Sequence, residues 1–349
     1  MANEMRQVVL AERPVDDIIP GKTFNQKFVP KPTASQLKDG EILVEVLYLS
    51  LDPAMRGWLA DVRSYLPPVQ IGAVMRGASA CRVVASKSSQ AAAGDYVYAQ
   101  TGWTEYAILP EGKFEGPTVF PNVQDPKDML SFLGLTGITA WVGMTKIGEP
   151  KAGETVVVSG AAGATGSVAG QIAKLNGARV IGIAGGADKC KWLVEELGFD
   201  VALDYKAPDF REKFKAATPN YVDVYFDNVG GEILNTCLAR AKEHSRFIMC
   251  GGISQYNTSK PQGPSNINRV ISMRIRMQGF IVFDHEDEFP KARKELSQWA
   301  AEGKIKKTEH ILKGGLQVAE QGLIDLYKGV NTGKLLVEVK SLKEGSPKL

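Results

Sequence analysis

The stretch Thr155-Val-Val-Val-Ser-Gly-Ala-Ala-Gly-Ala-Thr-Gly-Ser167 joins an apolar, β-branched segment to a helical one through a glycine-rich turn. Against the pattern Gly-x-Gly-x-x-Gly, Ala161 takes the first glycine position, and Gly163 and Gly166 take the second and third. Gly163 would let the backbone approach a pyrophosphate, and Gly166 would let the helix pack closely on the strand. The alternative is a turn that only packs and binds no ligand.

The start of the helix adds a second reason to expect a phosphate ligand. Ala164, Thr165 and Gly166 lie between Gly163 and the helix predicted from residue 168, and they are predicted to contact the cofactor. Amides at a helix N-terminus have no partner within the helix, and the positive end of the helix dipole attracts anions. Because the turn lies between a strand and a helix, we predict a dinucleotide site here.

Regular alternation of strands and helices surrounds this turn. Strands are predicted at 155–159, 179–183, 201–203, 222–226 and 246–249. Helices are predicted at 168–175, 189–197, 209–216 and 232–241. This alternation favours a doubly wound parallel sheet of the Rossmann type, whose buried strands are apolar throughout.

The end of the second strand distinguishes between the two nicotinamide cofactors. An NAD site usually has an acid there, whereas this strand ends Ile183-Ala184-Gly185-Gly186. Asp188 is better interpreted as a helix N-cap. Lys189 then lies in the first helical turn, where a cation opposes the helix dipole and a 2′-phosphate would compensate it. We therefore predict NADP(H), with a solvated surface lysine as the alternative.

The first third of the chain has a different texture. Short strand-like segments at 41–51, 81–84, 96–99 and 104–109 are separated by turns, which predicts an irregular β-barrel or sandwich. Helical spacing begins at 128–147, and a strand-like tail at 335–339 could return to the first domain. We predict a substrate domain over 1–129 and 312–349, and a cofactor domain over 130–311.

Composition excludes several classes of protein. The formal net charge of +3 comes from basic and acidic residues that are mixed along the chain, so no nucleic-acid partner is expected. No apolar run has the length of a membrane span or a signal core. A cytoplasmic protein is expected. The last residues, Pro347-Lys348-Leu349, differ from the peroxisomal Ser-Lys-Leu address at the first position.

The residues that a catalytic zinc site or a Ser-His-Asp triad usually needs are missing from the first domain. The first histidine of the sequence is His244, and the first domain offers only Cys81 as a thiol. A catalytic zinc held by Cys and His is therefore not expected, and we predict no metal site. The same lack of histidine leaves no Ser-His system in the first domain, so hydrolysis is a poor hypothesis.

With these features, the chain resembles zinc-independent medium-chain dehydrogenases/reductases, in the group of leukotriene B4 12-hydroxydehydrogenase/prostaglandin reductases, alkenal double-bond reductases and curcumin reductase. The similarity covers nearly the whole chain. Its motifs are Leu-Asp-Pro-Ala-Met-Arg at 51–56, Gly-Leu-Thr-Gly-Ile-Thr-Ala-Trp at 134–141, Ala-Ala-Gly-Ala-Thr-Gly at 161–166, Phe-Asp-Asn-Val-Gly-Gly at 226–231, Cys-Gly-Gly-Ile-Ser-Gln-Tyr-Asn at 250–257, Gly-Phe-Ile-Val-Phe at 279–283 and Asn-Thr-Gly-Lys at 331–334. The resemblance implies a GroES-like β-barrel for the substrate domain, beside the Rossmann sheet.

The resemblance also implies which residues touch the cofactor. Lys189 and Tyr205 would contact the 2′-phosphate region, and the residues at 280–282 would flank the nicotinamide. The full predicted set is Gly163, Ala164, Thr165, Gly166, Lys189, Tyr205, Asn228, Cys250, Gly251, Ile253, Ser254, Tyr256, Phe280, Ile281, Val282 and Asn331. Structural alternatives remain for three of them: Tyr205 could cover a strand end, Asn228 could form an Asx turn and Phe280 could be core.

One departure from the group concerns the substrate domain. Many relatives have tyrosine in Asp-Pro-Tyr-Met-Arg, where this chain has Ala54. Tyr65 could replace the lost aromatic surface, or it could pack on Pro67 and Pro68. Arg56 could bind a substrate carboxylate, although a structural salt bridge with the nearby Asp52 is favoured.

The predicted reaction is NADPH-dependent reduction of the C=C bond of an α,β-unsaturated aldehyde or ketone. Hydride goes to the β-carbon, and Tyr256 is predicted to donate a hydrogen bond to the enolate oxygen, a task that the ribose 2′-hydroxyl of the cofactor could share. The alternative is a tyrosine that only shapes the pocket. The alternatives are an NADPH:quinone reductase, a non-catalytic NADPH-binding redox sensor and, more weakly, an alcohol dehydrogenase. The resemblance and the frequency of twofold oligomers predict a homodimer.

Overall fold

The structure is a computed structural model that describes residues 3–121 and 123–342. The chain forms two compact units. The first extends to Leu130 and adds His310–Val330 and the segment that begins at Leu335. The second comprises Ser131–Glu309 and Asn331–Lys334. The short segment Asn331–Lys334 therefore groups with the second unit, whereas the division predicted from the sequence assigned it to the substrate domain.

Strands occur in both units. In chain order they are β1 (Glu4–Leu10), β2 (Phe24–Pro30), β3 (Glu41–Ser50), β4 (Ser79–Ser86), β5 (Tyr96–Ala99), β6 (Tyr106–Pro110), β7 (Phe114–Glu115), β8 (Thr155–Ser159), β9 (Arg179–Ala184), β10 (Val201–Asp204), β11 (Val222–Asp227), β12 (Ala241–Met249), β13 (Arg276–Gly279), β14 (Glu309–Lys313) and β15 (Lys334–Glu338).

The helices lie mostly in the second unit. In chain order they are α1 (Met55–Trp58), α2 (Leu135–Val142), α3 (Ala164–Leu175), α4 (Ala187–Glu195), α5 (Phe210–Ala217), α6 (Gly231–Ala239), α7 (Arg269–Ser272), α8 (Phe289–Ala301) and α9 (Ala319–Tyr327). Short 3₁₀ turns occupy Ala34–Gln36, Pro126–Met129, Ile253–Gln255, Val282–Glu288 and Gly315–Val318, and a π-helical segment, Gly143–Gly148, continues α2.

The second unit contains the parallel sheet that the sequence predicted. Its strands follow the order β10-β9-β8-β11-β12-β13, and each neighbouring pair is parallel. The side chains of Val156, Val157 and Val158 have no exposed surface, as expected for a strand buried on both faces. The strand order reverses between β8 and β11, and a doubly wound sheet binds its ligand at the carboxyl side of such a switch point.

The helical stretch predicted at 128–147 is wrong in its extent, because the chain breaks before α2. A 3₁₀ turn covers Pro126–Met129, and α2 begins only at Leu135 after the extended N-cap Gly134. The connecting segment passes close over α2: a Cβ on Gly137 would lie 1.8 Å from the main-chain oxygen of Phe132. Only glycine fits at that contact, and the helix breaks at Gly134 because its backbone there is extended.

The first unit is built on antiparallel strands. Its sheet follows the order β14-β15-β3-β4-β5-β7, with β6 pairing the other part of β3, and β1 pairs β2 in a separate ladder. The strand-like tail returns to this unit as predicted, since β15 pairs β3 antiparallel. The core is lined by β-strand side chains and by apolar residues of α9, such as Leu323 and Leu326. No helix in the described part of the chain has the length and apolar character that a membrane crossing requires.

Candidate functional site

The turn after β8 opens the candidate site. Gly160 has a φ of +57°, a conformation that favours glycine, and it therefore performs the tight turn one residue before Ala161. Gly163 is the N-cap of α3 and has extended backbone. Because glycine has no side chain, the first helical amides receive no capping hydrogen bond from it. Those amides, from Ala164 onward, present the positive end of the helix dipole.

Two glycines of the turn are constrained by close contacts. A Cβ on Gly166 would lie 2.4 Å from the main-chain oxygen of Gly160 and 2.9 Å from the Cα of Ala161. A Cβ on Gly163 would lie 3.2 Å from the same oxygen of Gly160. Gly166 thus allows α3 to pack directly on the turn, and Gly163 keeps the outer side of the turn free of a side chain.

A segment from far along the sequence lies against this turn. Gly163 and Gly333 form a parallel bridge, and the amide of Gly333 donates to the main-chain oxygen of Ala162 at 2.8 Å. The Asn331 side chain is 8% exposed and donates to the main-chain oxygen of Gly333 at 2.8 Å. Asn331 is therefore placed next to the glycine turn, while its role as a cofactor contact stays a prediction.

Two lysines converge at the end of β9. Lys189, in the first turn of α4, donates to the main-chain oxygen of Asn331 at 2.6 Å. Burial lowers the pKa of Lys189, and the charge of Lys206 lowers it further, so the two ammonium groups act on one another. Repulsion between neighbouring cations is relieved by an anion placed between them. We call Lys189 and Lys206 the lysine pair.

Tyr205 lies beside the lysine pair and over the glycines that end β9. Its ring is 45% exposed, and the Nζ of Lys206 is 5.9 Å from the ring centroid. A Cβ on Gly185 would meet the Tyr205 ring at 3.0 Å and the Lys206 side chain at 3.1 Å. The missing side chain at Gly185 therefore lets Tyr205 and Lys206 close over the end of the strand.

The interpretation of Asp188 as a helix N-cap is wrong. The N-cap of α4 is Gly186, with a φ of +97°, and Asp188 is an exposed residue within the first turn. Gly186 takes the N-cap position two residues before Asp188. The acid that organises this corner is Asp204, which accepts from the amides of Gly186 and Lys206 at 2.9 Å each. The hydrogen bond from Gly186 is the main reason that the pKa of Asp204 is lowered.

A buried carboxylate joins the ends of β8 and β11. The Oδ1 atom of Asp227 accepts from the hydroxyls of Ser159 and Tyr225 at 3.0 and 2.7 Å, and from the amides of Val229 and Gly230 at 2.9 Å each. Its Oδ2 atom is buried with no hydrogen-bond partner in the described part of the chain. Burial raises the pKa of Asp227, against the lowering effect of these bonds.

Asn228 is positioned by this junction. Its side-chain amide donates to the main-chain oxygen of Ser159 at 2.7 Å, and its backbone amide donates to the Ser159 hydroxyl at 2.9 Å. The side chain thus bridges two strands instead of forming only a local turn, which was the structural alternative. Asn228 lies at the switch point between β8 and β11, the position where a doubly wound sheet binds its ligand.

The loop after β12 folds onto the same edge. The amides of Cys250 and Gly251 donate to the main-chain oxygen of Asp227 at 2.9 Å each, and the amide of Ile253 donates to that of Asn228 at 3.2 Å. The Ser254 hydroxyl donates to the main-chain oxygen of Val229 at 2.6 Å. Burial raises the pKa of Cys250 to about 12, so this thiol stays protonated at neutral pH.

Tyr256 closes this loop on itself. Its hydroxyl accepts a hydrogen bond from the amide of Gly252 at 3.0 Å, and a Cβ on Gly251 would lie 3.0 Å from that hydroxyl and 3.4 Å from the main-chain oxygen of Asn228. Tyr256 and Asn228 therefore belong to one local assembly. Glycine at 251 is the residue that lets the two approach.

The remaining predicted residues follow the last strand of the parallel sheet. Phe280 and Ile281 follow β13 at the carboxyl end of the sheet, and Val282 begins the next 3₁₀ turn. All three side chains are half-buried, so Phe280 is not a fully buried core residue. Their contact with a nicotinamide stays a prediction.

In the first unit, Arg56 is held by main-chain oxygens. Its guanidinium donates to the carbonyls of Pro14, Val15 and Asp16 at 2.9–3.1 Å, and the residue is 5% exposed. The predicted salt bridge with Asp52 is not what the structure shows, since Arg56 forms no ion pair within the described residues and Asp52 accepts from the Ser50 hydroxyl. Three carbonyls that converge on one guanidinium satisfy its donors without a carboxylate.

For Tyr65 the sequence left two alternatives, a replacement aromatic surface or packing on Pro67 and Pro68. It is 44% exposed, and its hydroxyl accepts from the indole nitrogen of Trp58 at 2.9 Å. The tyrosine is thus hydrogen-bonded to a second aromatic residue, a contact that was not predicted.

Two functional features were missed from the sequence. Lys206 directly follows Tyr205, and the signal available was that sequential strands of a doubly wound sheet are neighbours, which brings the end of β10 next to the end of β9. The Asp227 junction was missed because the motif Phe-Asp-Asn-Val-Gly-Gly does not reveal that β11 pairs β8.

The residues present fit NADP(H). The first amides of α3 and the open side of Gly163 suit a pyrophosphate, and the lysine pair beside Tyr205 suits a 2′-phosphate. Within the described residues, no group of three or more His, Cys, Asp or Glu side chains is arranged to hold a metal ion.

Comparisons with known proteins agree with this geometry. Residues 6–116 match the family described as "N-terminal domain of oxidoreductase", and residues 164–298 match the family described as "Zinc-binding dehydrogenase". The chain is 41% identical over 340 residues to the NADPH-dependent curcumin reductase of Escherichia coli, covering 96% of each chain. It is 37% identical over 305 residues to the 2-alkenal reductase (NADP(+)-dependent) of Nicotiana tabacum, covering 86% of this chain and 87% of that one.

A solved structure gives the same result. The chain superposes on CurA of Vibrio vulnificus in complex with NADPH with a TM-score of 0.89 at 40% sequence identity, covering 96% of this chain and 99% of that chain. The predicted resemblance and the predicted two-domain fold are thereby confirmed. The chain belongs to the zinc-independent medium-chain dehydrogenase/reductase family.

Proposed function

We propose that this chain, an NADP-dependent oxidoreductase of that family, reduces the C=C bond of α,β-unsaturated aldehydes and ketones. The observation that carries the proposal is the position of Tyr256, on a loop that folds against Asn228 at the carboxyl ends of β11 and β12. That edge also holds the glycine turn and lies beside the lysine pair. Similarity to a curcumin reductase and a 2-alkenal reductase supports this class of substrate.

In the proposed reaction, a hydride is added at the β-carbon and a solvent-derived proton at the α-carbon. The hydride is supplied by bound NADPH. Between the two additions, negative charge collects on the carbonyl oxygen as an enolate. A hydrogen bond to this oxygen is worth more as its charge grows, so it lowers the barrier.

Tyr256 is the proposed donor to that oxygen. Because its hydroxyl accepts the Gly252 amide at 3.0 Å, the phenol is polarised and its own hydrogen becomes a better donor. The same bond fixes the direction of the hydroxyl. Asp227 stabilises the site indirectly. It accepts from Ser159 and Gly230 and so holds the segment that carries Asn228.

The test is a screen of NADPH oxidation with product analysis. Matched enals, enones, saturated aldehydes and quinones are assayed with NADPH and NADH. We expect one saturated aldehyde or ketone per NADPH, with the C=O group intact. Reduction of C=O in place of C=C contradicts the proposal. A much larger kcat/KM for quinones indicates a quinone reductase, and stoichiometric NADPH binding without turnover indicates a redox sensor.

The predicted homodimer has a candidate surface on the second unit. β13 ends the order of the parallel sheet, pairs β12 on one side and is largely exposed. Near it in sequence, Ile267 and Ile271 are 47% and 78% exposed. An open strand edge with apolar neighbours favours pairing with a second copy. Light scattering that gives a monomer mass at micromolar concentration would contradict the dimer.

A further inference from the structure

Ser159 is the last residue of β8 and directly precedes the glycine turn. Its side chain is completely buried. The hydroxyl donates to Oδ1 of Asp227 at 3.0 Å, and the main-chain oxygen of Phe226 is a more distant acceptor at 3.4 Å. A hydroxyl group has one hydrogen and two lone pairs. Because the hydrogen is given to β11, the oxygen of the Ser159 hydroxyl is available to accept from a neighbour.

Both amide groups of Asn228 are bound to Ser159. The backbone amide donates to the Ser159 hydroxyl at 2.9 Å, and the side-chain Nδ2 donates to the Ser159 main-chain oxygen at 2.7 Å. The orientation of the side-chain amide is fixed chemically, because a carbonyl oxygen accepts from N–H and repels another oxygen. Nδ2 is therefore committed to β8, and Oδ1 is the side-chain atom of Asn228 that remains for a ligand.

Asn228 in turn contacts two other segments of the site. A Cβ on Gly160 would lie 3.3 Å from the Cβ of Asn228, so the glycine turn and Asn228 approach each other closely. The main-chain oxygen of Asn228 accepts from the amide of Ile253 at 3.2 Å, in the loop at 250–256. A displacement of Asn228 would therefore reach both segments for which cofactor contacts are predicted.

We propose that Ser159 is a positioning residue of the cofactor site, which holds Asn228 by its backbone and side-chain amides and so sets the direction in which Oδ1 of Asn228 meets bound NADP(H). Groups that bind a ligand need such support from the residues behind them. Because Ser159 is completely buried, its effect on the cofactor is exerted through Asn228. The inference rests on the predicted contact between Asn228 and the cofactor, and it holds whichever carbonyl compound is reduced.

The first experiment is a double-mutant cycle on the affinity for NADPH, measured by fluorescence titration without a carbonyl substrate. Ser159→Ala removes the acceptor of the Asn228 backbone amide, so we expect the Kd to rise about 3- to 10-fold, and Asn228→Ala should raise it about tenfold. In the Asn228→Ala background, Ser159→Ala should change the Kd less than about twofold, because the residue through which it acts is gone. Effects that multiply in full would overturn the inference, as would an unchanged Kd in either single variant.

Tyr225→Phe separates positioning from stability. The Tyr225 phenol donates to the same Oδ1 of Asp227 at 2.7 Å and also acts on the Ser159 hydroxyl. Its removal leaves both hydrogen bonds between Asn228 and Ser159 in place. We expect Ser159→Ala and Tyr225→Phe both to lower the midpoint of urea unfolding, whereas only Ser159→Ala raises the Kd for NADPH more than threefold. An equal rise of the Kd in both variants would indicate a purely structural role and would contradict the inference.

Ser245→Ala is the matched control for the loss of a buried hydroxyl. Ser245 is a buried serine of β12, and its hydroxyl has no hydrogen-bond partner within residues 3–121 and 123–342. Its Kd for NADPH should stay within twofold of wild type. If Ser159→Ala does not fold, Ser159→Cys takes its place in the cycle, since a thiol is only a weak donor and acceptor.

This inference and the proposed function fail in distinguishable ways. The cycle measures NADPH binding alone, so additive effects in it leave the substrate screen unchanged. A screen in which no enal or enone is reduced contradicts the proposed function and leaves the NADPH titrations unchanged.

Discussion

The Nζ atom of Lys189 lies 2.6 Å from the main-chain oxygen of Asn331, so a helix after the second strand of the sheet is bound to a segment close to the end of the chain. This contact fixes the direction of the ammonium group. Together with Lys206, it defines the corner where we expect a 2′-phosphate to bind.

Removing the lysine pair should change the preference between the cofactors. In Lys189→Gln/Lys206→Gln, the KM for NADPH is expected to rise about 10- to 100-fold, because charge-assisted hydrogen bonds to the phosphate are lost. The KM for NADH should change little. Lys191→Gln is the control on the same helix, where Lys191 is exposed beside Glu195. A parallel rise in both KM values would place the two lysines outside the phosphate site.

The affinity for NADPH should depend on pH through Lys189. Burial and then Lys206 lower the pKa of this amine, so it loses its proton at a lower pH than an ordinary lysine. Below that pKa the ammonium binds the phosphate, and as the pH rises through it the affinity is expected to fall. Fluorescence titration with NADPH across the alkaline range measures this fall. Lys189→Arg should remove it, because arginine stays charged, and NADH should show none.

Tyr256→Phe should slow the chemical step. We expect kcat to fall about 100-fold with little change in the KM for NADPH, because one hydrogen-bond donor to the enolate is lost. Steady-state kinetics with an enal and an enone provide the test. Tyr221→Phe is the matched control at an exposed tyrosine. A kcat within threefold of wild type would assign Tyr256 only to the shape of the loop.

Gly166→Ala should impair the glycine turn. The added methyl would lie 2.4 Å from the main-chain oxygen of Gly160, so α3 must move away from the turn. We expect weaker NADPH binding, by about tenfold or more, and a destabilisation of about 1–3 kcal/mol. Gly263→Ala has no atom within 4 Å of the new methyl and serves as the control. Isothermal titration and thermal unfolding separate the two effects, and unchanged binding in Gly166→Ala would contradict the assignment.

Asp227→Ala should destabilise the second unit by about 3 kcal/mol or more, because four donors lose a buried acceptor. Asp227→Asn keeps Oδ1 and should cost less. The folded-state pKa of Asp227 is raised, so this group contributes stability below its unfolded pKa and loses it as the pH rises through the folded pKa. The free energy of unfolding of the wild type should therefore rise relative to that of Asp227→Asn as the pH falls. Urea unfolding at several pH values measures the difference.

Local patterns predicted the centre of the second unit well. The strand at 155–159 has the predicted bounds because an apolar, β-branched run is followed directly by the turn glycines. β1 and β2 were not predicted, since β2 is mostly exposed and shows no regular alternation. The strand, turn and helix at 155–175 could be predicted because their geometry depends on neighbours in sequence.

Site features made by long-range contacts could not be predicted in this way. Lys206 acts on Lys189 only because β10 pairs β9, and Asp227 bonds Ser159 only because β11 pairs β8. Asn331 was found by resemblance alone.

The bridge between Gly163 and Gly333 affects the order in which the protein folds during synthesis. During synthesis the glycine turn leaves the ribosome long before Gly333 does, so the parallel sheet can assemble while its last flanking segment is still missing. A chain released before residue 331 would contain the whole parallel sheet and still lack the segment Asn331–Lys334, which lies against the glycine turn.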